Sequence, residues 1–170
     1  MTKKGRERLR LVIDARRANR LFKKAPWCPL GSIESLCRVR VSQEQTLFTA
    51  QEDVRDFFYR LGIDETLSVM FGLPALKLSV LRKAFAASGV ALPNCLEPGS
   101  CPEVVTPTMQ VLPMGFSWAF WLSQQAHIEI AHRSMPDVVD QQYILDRVPP
   151  RNLLTRDDYA ILLYADNVNH

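Results

Sequence analysis

Two carboxylates stand where strands are predicted to end. Asp166 follows the apolar run Ile161–Tyr164 at the predicted tip of a hairpin, in a tight Ala-Asp-Asn turn, and Asp53 closes a run that begins at Thr46. A short acidic side chain tolerates turn backbone and faces outward. Two such carboxylates that converge can hold a pair of divalent metal ions, which stabilise in-line phosphoryl transfer at the attacking and leaving oxygens. The alternative for an Asp-Asn turn is an ordinary solvated loop.

Other metal-ligating residue types show no comparable pattern. The four cysteines include no close pair and have no histidine at metal-site spacing, which favours free thiols in a reducing, intracellular setting over a zinc site. His127 and His132 lie five residues apart in a predicted helix, so they do not share a face, and both are expected to be partly exposed. The cysteines are Cys28, Cys37, Cys95 and Cys101.

Positive charge is concentrated at the start of the chain. Residues 1–24 hold ten Lys or Arg against Glu7 and Asp14, whereas the formal net charge of all 170 residues is only +3. Such a segment favours contact with a polyanion. A solvated basic face and a mitochondrial targeting peptide are the alternatives, although Glu7 and Asp14 interrupt the charge. No run approaches the ~20 apolar residues of a membrane span, so we expect a soluble protein without a membrane partner.

Turn and cap residues divide the chain into alternating strands and helices. Ser32 is predicted to cap a helix over 33–38, Asp64 a helix to Met70, and Gly89 to end an amphipathic helix. Residues 90–110 carry four prolines and are predicted to form an irregular loop, with a short strand at 109–112. This alternation predicts an α+β domain in which a largely antiparallel sheet packs on helices.

The longest predicted helix runs from a Ser117 cap to about Arg133. Phe120, Ala126 and Ile130 are expected among its inward residues. Asp56, just after the first strand-end carboxylate, is expected to cap the turn that leads into the next helix.

Four motifs in order resemble the reverse transcriptase family. Residues 8–19 resemble its fingers motif, a basic strand followed by Asp-x-Arg-x-x-Asn, and residues 53–59 resemble its first palm motif. Residues 111–117, with Leu-Pro-Met-Gly, resemble the segment that lies against the template and the incoming nucleotide. Residues 164–167, Tyr-Ala-Asp-Asn, resemble the Tyr-x-Asp-Asp box.

The resemblance implies a partial right-hand polymerase fold, with a fingers portion at 1–45 and an antiparallel palm at 46–170, truncated after the box and without a thumb. It implies an RNA-directed DNA polymerase of retroelement type, which transfers nucleotides from dNTP to a primer 3′-hydroxyl on a nucleic acid template. Only residues 168–170 follow the box, which leaves little chain for a returning strand. We therefore expect a fragment that is inactive alone.

The resemblance also implies site roles. Mg²⁺ or Mn²⁺ would be bound by Asp53, the Val54 carbonyl, Asp166 and Asn167, of which Asp53, Asp166 and Asn167 would be catalytic. Phe58 would exclude a ribose 2′-hydroxyl, which is the group that distinguishes RNA from DNA. Nucleotide contacts would come from Arg10, Phe58, Met114 and Gly115, and nucleic acid contacts from Arg6, Arg8 and Arg16.

Two residues depart from the family pattern. Met114 stands where the family usually has Gln, and Asn167 stands where it usually has a second Asp; an amide is a poorer ligand than a carboxylate for a hard cation. Both departures favour an alternative function, a degenerate domain that binds nucleic acid without polymerising it. An RNA-directed RNA polymerase is a third possibility, which Phe58 disfavours.

Overall fold

The computed structural model describes residues 13–97, 99, 102–138, 142–149, 152–165 and 167–169, the last three for their backbone alone. Arg6, Arg8, Arg10 and Asp166, all predicted site residues, lie outside these ranges. The chain divides into two compact units, with boundaries after Leu61 and after Leu112. The larger unit contains both ends of the chain, and the smaller unit is the continuous segment Gly62–Leu112.

The larger unit contains a four-stranded sheet and four of the described helices. The strand order is β1-β6-β5-β4; β6 runs antiparallel to both β1 and β5, and β4 runs parallel to β5. The prediction of an α+β fold is confirmed at this level. The elements are α1 (Arg16–Asn19), α2 (Ile33–Leu36), β1 (Gln51–Asp53), α3 (Phe57–Arg60), α6 (Ala119–Ser134), β4 (Tyr143–Ile144), β5 (Ile161–Tyr164) and β6 (Asn167–Asn169).

The smaller unit is built from short elements. These are α4 (Glu65–Ser68), a 3₁₀ turn at Val69–Phe71, β2 (Leu76–Lys77), α5 (Leu78–Ser88), a 3₁₀ turn at Asn94–Leu96 and β3 (Val104–Val105). β2 and β3 pair antiparallel, whereas Thr108 and Val111 form only isolated bridges, so the strand predicted at 109–112 is wrong. None of the helices in the described ranges is long and apolar enough to cross a membrane.

The core of the larger unit lies between β5 and α6. β5 is wholly apolar up to Tyr164, and Ile161 and Leu163 pack with Ala131 of α6 and Tyr143 of β4 in one buried cluster. Leu163 has no exposed surface. Burial of the strand therefore fixes which face of α6 points inward.

That inward face of α6 differs from the predicted one. Ile130 is 49% exposed, so its predicted burial is wrong, and the buried residues are Ala119, Ser123, Gln124, His127 and Ala131. Three of these five are polar, and a pattern that counts only apolar side chains cannot detect such a face. The expectation that His127 is partly exposed is also wrong, because only 4% of its surface is exposed.

Two of the predicted caps form. The Ser32 hydroxyl accepts from the Ser35 amide at 3.2 Å, and the Asp64 carboxylate accepts from the Leu67 amide at 2.7 Å. Gly89 ends α5 in the left-handed region, at φ 67°.

The predicted Ser117 cap is wrong. Trp118 occupies the N-cap position of α6, where no side chain accepts a hydrogen bond from the helix. Asp56 precedes α3 as expected, but its backbone is left-handed and its side chain makes no cap bond.

Candidate active site

The sheet brings the end of β1 beside the hairpin that carries the Tyr-Ala-Asp-Asn sequence. Asp53 is the antiparallel partner of Asn167, and Asn167 is in turn the partner of Tyr164. Antiparallel partners have Cα atoms about 4.5–5.5 Å apart. Asp166 and the side chain of Asn167 lie outside the described residues. The predicted hairpin is confirmed: residues 167–169 form its returning strand, for which the sequence leaves little chain.

The first turn residue of the hairpin, Ala165, is buried and has left-handed backbone. Its φ is 50° and only 2% of its surface is exposed. Left-handed backbone is unfavourable for residues other than glycine, and a buried peptide group needs hydrogen-bond partners. Two side chains of α6 supply them: Gln124 Oε1 accepts from the Ala165 amide at 2.7 Å, and His127 Nδ1 lies 2.6 Å from the Ala165 carbonyl oxygen.

Gln124 connects three parts of the larger unit. It is fully buried, and its Nε2 donates to the carbonyl oxygens of Pro29 and Leu163, each at 3.1 Å. With the Ala165 bond, both ends of the amide have partners. The segment around Pro29, β5 and the hairpin turn are therefore attached to one position of α6.

His127 contacts both sides of the candidate site. Because the Ala165 carbonyl can only accept, Nδ1 carries the hydrogen. The imidazole also packs against Phe57 of α3, with ring centroids 5.4 Å apart. Phe57 follows Asp53 by four residues, so a single side chain touches elements next to both predicted carboxylate positions.

The residues after Asp53 are arranged as a tight turn into α3. The Asp53 side chain is exposed and its carboxylate makes no hydrogen bond or ion pair within the described part of the chain, while Val54 and Phe58 are half-buried. Phe57, not Phe58, is the aromatic residue of this turn that enters the core. Phe58 therefore keeps surface for contact with a ligand.

The Leu-Pro-Met-Gly segment is attached to the segment around α1. The Asn19 side chain donates to the Gly115 carbonyl at 2.9 Å and accepts from the Ser117 amide at 2.8 Å. Gly115 has φ 104°, and a Cβ there would lie 2.9 Å from the Ile13 carbonyl oxygen. The turn therefore requires glycine. Met114 beside it is half-buried.

The described basic residues near α1 are mostly exposed. Arg16 is engaged by Asp14, with Nε to Oδ1 at 2.8 Å and the second nitrogen to Oδ2 at 2.6 Å. This ion pair lowers the pKa of Asp14 to about 2. Arg17, Arg20, Lys23 and Lys24 are exposed and form no salt bridge among the described residues, although the charge of Arg17 also helps to lower the pKa of Asp14.

The described residues include part of the predicted set of metal ligands. No group of three or more His, Cys, Asp or Glu side chains within the described ranges is close enough to bind a metal ion. Asp53 offers an unpaired carboxylate at the strand end, and the carbonyl of Val54 follows it. An exposed carboxylate without a partner suits a hard cation, which takes carboxylate and carbonyl oxygen ligands.

Comparison with known proteins adds no family assignment. No family model matches the chain, and no curated protein matches it significantly. The resemblance described above therefore rests on the four sequence motifs alone.

Sequence reasoning missed Gln124 and His127 as site residues. The available signal was the recurrence of polar or small residues at Ser123, Gln124, His127 and Ala131, at helical spacing. Such a stripe on a helix next to an apolar strand indicates hydrogen bonds to buried backbone rather than exposure to solvent.

Proposed function

We propose that the larger unit is a nucleotidyl transferase site of the reverse transcriptase type, which adds a dNTP to a primer 3′-hydroxyl on an RNA template. One observation carries the proposal: Asp53 pairs in register with Asn167, at the mouth of a hairpin whose turn is held by two buried side chains. A turn that served only as a solvated loop would need no such support.

The residues that would hold Mg²⁺ or Mn²⁺ are Asp53, the Val54 carbonyl, Asp166 and Asn167. Bound ions of this kind supply charge that activates the primer hydroxyl and stabilises the leaving pyrophosphate. Asn167 contributes a neutral oxygen in place of a carboxylate. We therefore expect weaker metal binding than two aspartates would give.

Other residues would orient the substrates. The Gly115 turn, held by Asn19, presents Met114 towards the base pair that forms, and Phe58 excludes a 2′-hydroxyl by its bulk. The exposed cations near α1 would neutralise phosphates of the template. Each of these roles places substrate and requires no further titratable group.

Metal binding tests the proposal directly. Mn²⁺ affinity, measured by electron paramagnetic resonance in the presence of template-primer, should fall at least about tenfold in Asp53→Asn and rise in Asn167→Asp. Asp56→Asn is the matched control, because Asp56 is an exposed carboxylate three residues away and Asn tolerates its left-handed backbone. Equal affinities for wild type and Asp53→Asn would refute the site.

Nucleotide binding separates the polymerase from the degenerate binding domain. A polymerase site should bind dNTP to the template-primer complex only when Mg²⁺ is present and Asp53 is intact. A domain that merely binds nucleic acid should bind template-primer with a steep salt dependence but should show no metal-dependent dNTP binding. That second result would favour the alternative suggested by Met114 and Asn167.

A further inference from the structure

We propose that His127 is a positioning residue that holds the hairpin turn and the Asp53 arm of the site in a fixed relation. The proposal rests on the proposed function for what the two arms do, but its geometry is independent of any ligand. Its basis is that one buried imidazole touches both arms.

On the hairpin side, the imidazole acts through a hydrogen bond. Nδ1 donates to the carbonyl oxygen of Ala165, at 2.6 Å, and this peptide group links Ala165 to the next residue, Asp166. The backbone at Ala165 is left-handed, a conformation that an alanine leaves readily unless its neighbours hold it. The hydrogen bond therefore restrains the peptide from which the predicted ligand follows.

On the Asp53 side, the imidazole acts through packing. Its ring lies against Phe57, with an interplanar angle of 54°, and Phe57 is itself only 5% exposed. The segment between Asp53 and Phe57 is a short turn that includes left-handed Asp56. A shift of His127 would therefore move the start of α3 together with the turn of the hairpin.

An apolar side chain would fill the same space without the hydrogen bond. Burying an imidazole is unfavourable unless its polar atoms have partners, so a role in packing alone would favour leucine or methionine at this position. Gln124 already satisfies the Ala165 amide, and His127 satisfies the carbonyl of the same residue. Both polar groups of one buried residue are thus held from the same helix.

Three variants separate positioning from packing. His127→Leu removes the donor and keeps bulk, His127→Asn keeps an N–H near the position of Nδ1, and His132→Leu is the control at an exposed position of the same helix. Metal affinity typically changes by 10–100-fold when a residue that orients ligands is lost. We expect His127→Leu to weaken Mn²⁺ binding about tenfold, His127→Asn to recover most of that loss, and His132→Leu to match wild type.

Two results would overturn the positioning role of His127. If His127→Leu lowers stability but its folded fraction binds Mn²⁺ as wild type does, His127 has only a structural role and the proposal is overturned. Should His127→Leu not fold, the wild-type chain provides the test: NMR should show that the hydrogen bond between His127 Nδ1 and the Ala165 carbonyl persists when Mg²⁺ binds. Loss of that bond on Mg²⁺ binding would overturn the proposal, because the site would then form without it.

Failure of the proposed function would give a different result from failure of the positioning role. Wild type would then bind no Mn²⁺, or would bind it with the same affinity after Asp53→Asn. The positioning role is then measured without metal, as hydrogen exchange of the Ala165 amide and of the amides in β1. Loss of one buried hydrogen bond should speed both about fivefold in His127→Leu, and unchanged β1 exchange would show that His127 does not join the two arms.

Discussion

Replacing Gln124 by leucine tests how the hairpin turn is held. The two side chains have similar size, so Gln124→Leu changes hydrogen bonding more than volume. In the wild type the side-chain amide of Gln124 has three partners: the backbone amide of Ala165 at 2.7 Å and the carbonyls of Pro29 and Leu163, each at 3.1 Å. All three bonds are lost in the variant.

The expected loss follows from which partners remain satisfied. The Leu163 carbonyl also accepts from the Gly31 amide at 2.9 Å, so it keeps a partner. The Ala165 amide is left buried without one, and the Pro29 carbonyl loses its bond to Gln124. A buried polar group without a partner costs about 1–3 kcal/mol, so the Ala165 amide predicts a loss of about 1–3 kcal/mol in the free energy of unfolding, and the part-buried Pro29 carbonyl, which water can reach, adds less.

Urea denaturation of wild type and variants measures this loss. Ser123→Ala is the matched control: Ser123 is equally buried on the same helix, but its hydroxyl has, among the described residues, a single hydrogen bond, to the Phe120 carbonyl within the helix at 2.8 Å. We expect that control to lose about 1 kcal/mol or less. If Gln124→Leu loses no more than Ser123→Ala, the turn is not held by Gln124, and the argument for a supported hairpin fails.

Two further predictions concern a close backbone approach and an ion pair. Gly31→Ala should destabilise the chain by about 1–3 kcal/mol in the same urea assay, because its Cβ would lie 2.7 Å from Leu162 Cδ2 and 3.1 Å from the Ile144 carbonyl oxygen. Gly62→Ala, whose nearest atom is 4.0 Å away, should change stability far less. The pKa of Asp14, about 2, lies below its ordinary 3.8, so the contribution of this carboxylate to stability is present above pH 3.8 and lost as pH falls through 2. A carbon-13 NMR titration should show this pKa, and Arg16→Gln should return it towards 3.8; an unchanged pKa would contradict the assigned cause.

The features of the fold that sequence predicted are those set by local chemistry. The apolar run at Ile161–Tyr164 specified a buried strand, and Ser32, Asp64 and Gly89 specified helix ends through their own backbone contacts. The hairpin after Tyr164 followed from the same logic. Each of these depends on residues within a few positions of one another, which a single sequence displays.

The features that sequence failed to predict depend on distant partners. Ser117 has the side chain of a cap, yet its amide is taken by Asn19, 98 residues away. His127 carries a polar ring that favours exposure, and its burial depends on the Ala165 carbonyl 38 residues away. Residues 62–112 form a separate unit because of contacts between residues far apart in sequence. The prolines in that segment predicted its loops but not this separation.

The buried turn argues against an ordinary solvated loop as the explanation for the Asp-Asn sequence. Hairpin turns usually lie at the surface, where water satisfies their peptide groups. Ala165 is instead 2% exposed, so protein groups must replace that water. Gln124 replaces water at the Ala165 amide, and His127 replaces it at the Ala165 carbonyl. If the turn lay at the surface, apolar residues could occupy these two positions of α6 instead. Because the turn is held at both polar groups, the direction in which the chain leaves it is restricted. A metal-ligating residue at the next position requires that restriction, whereas a solvated loop does not.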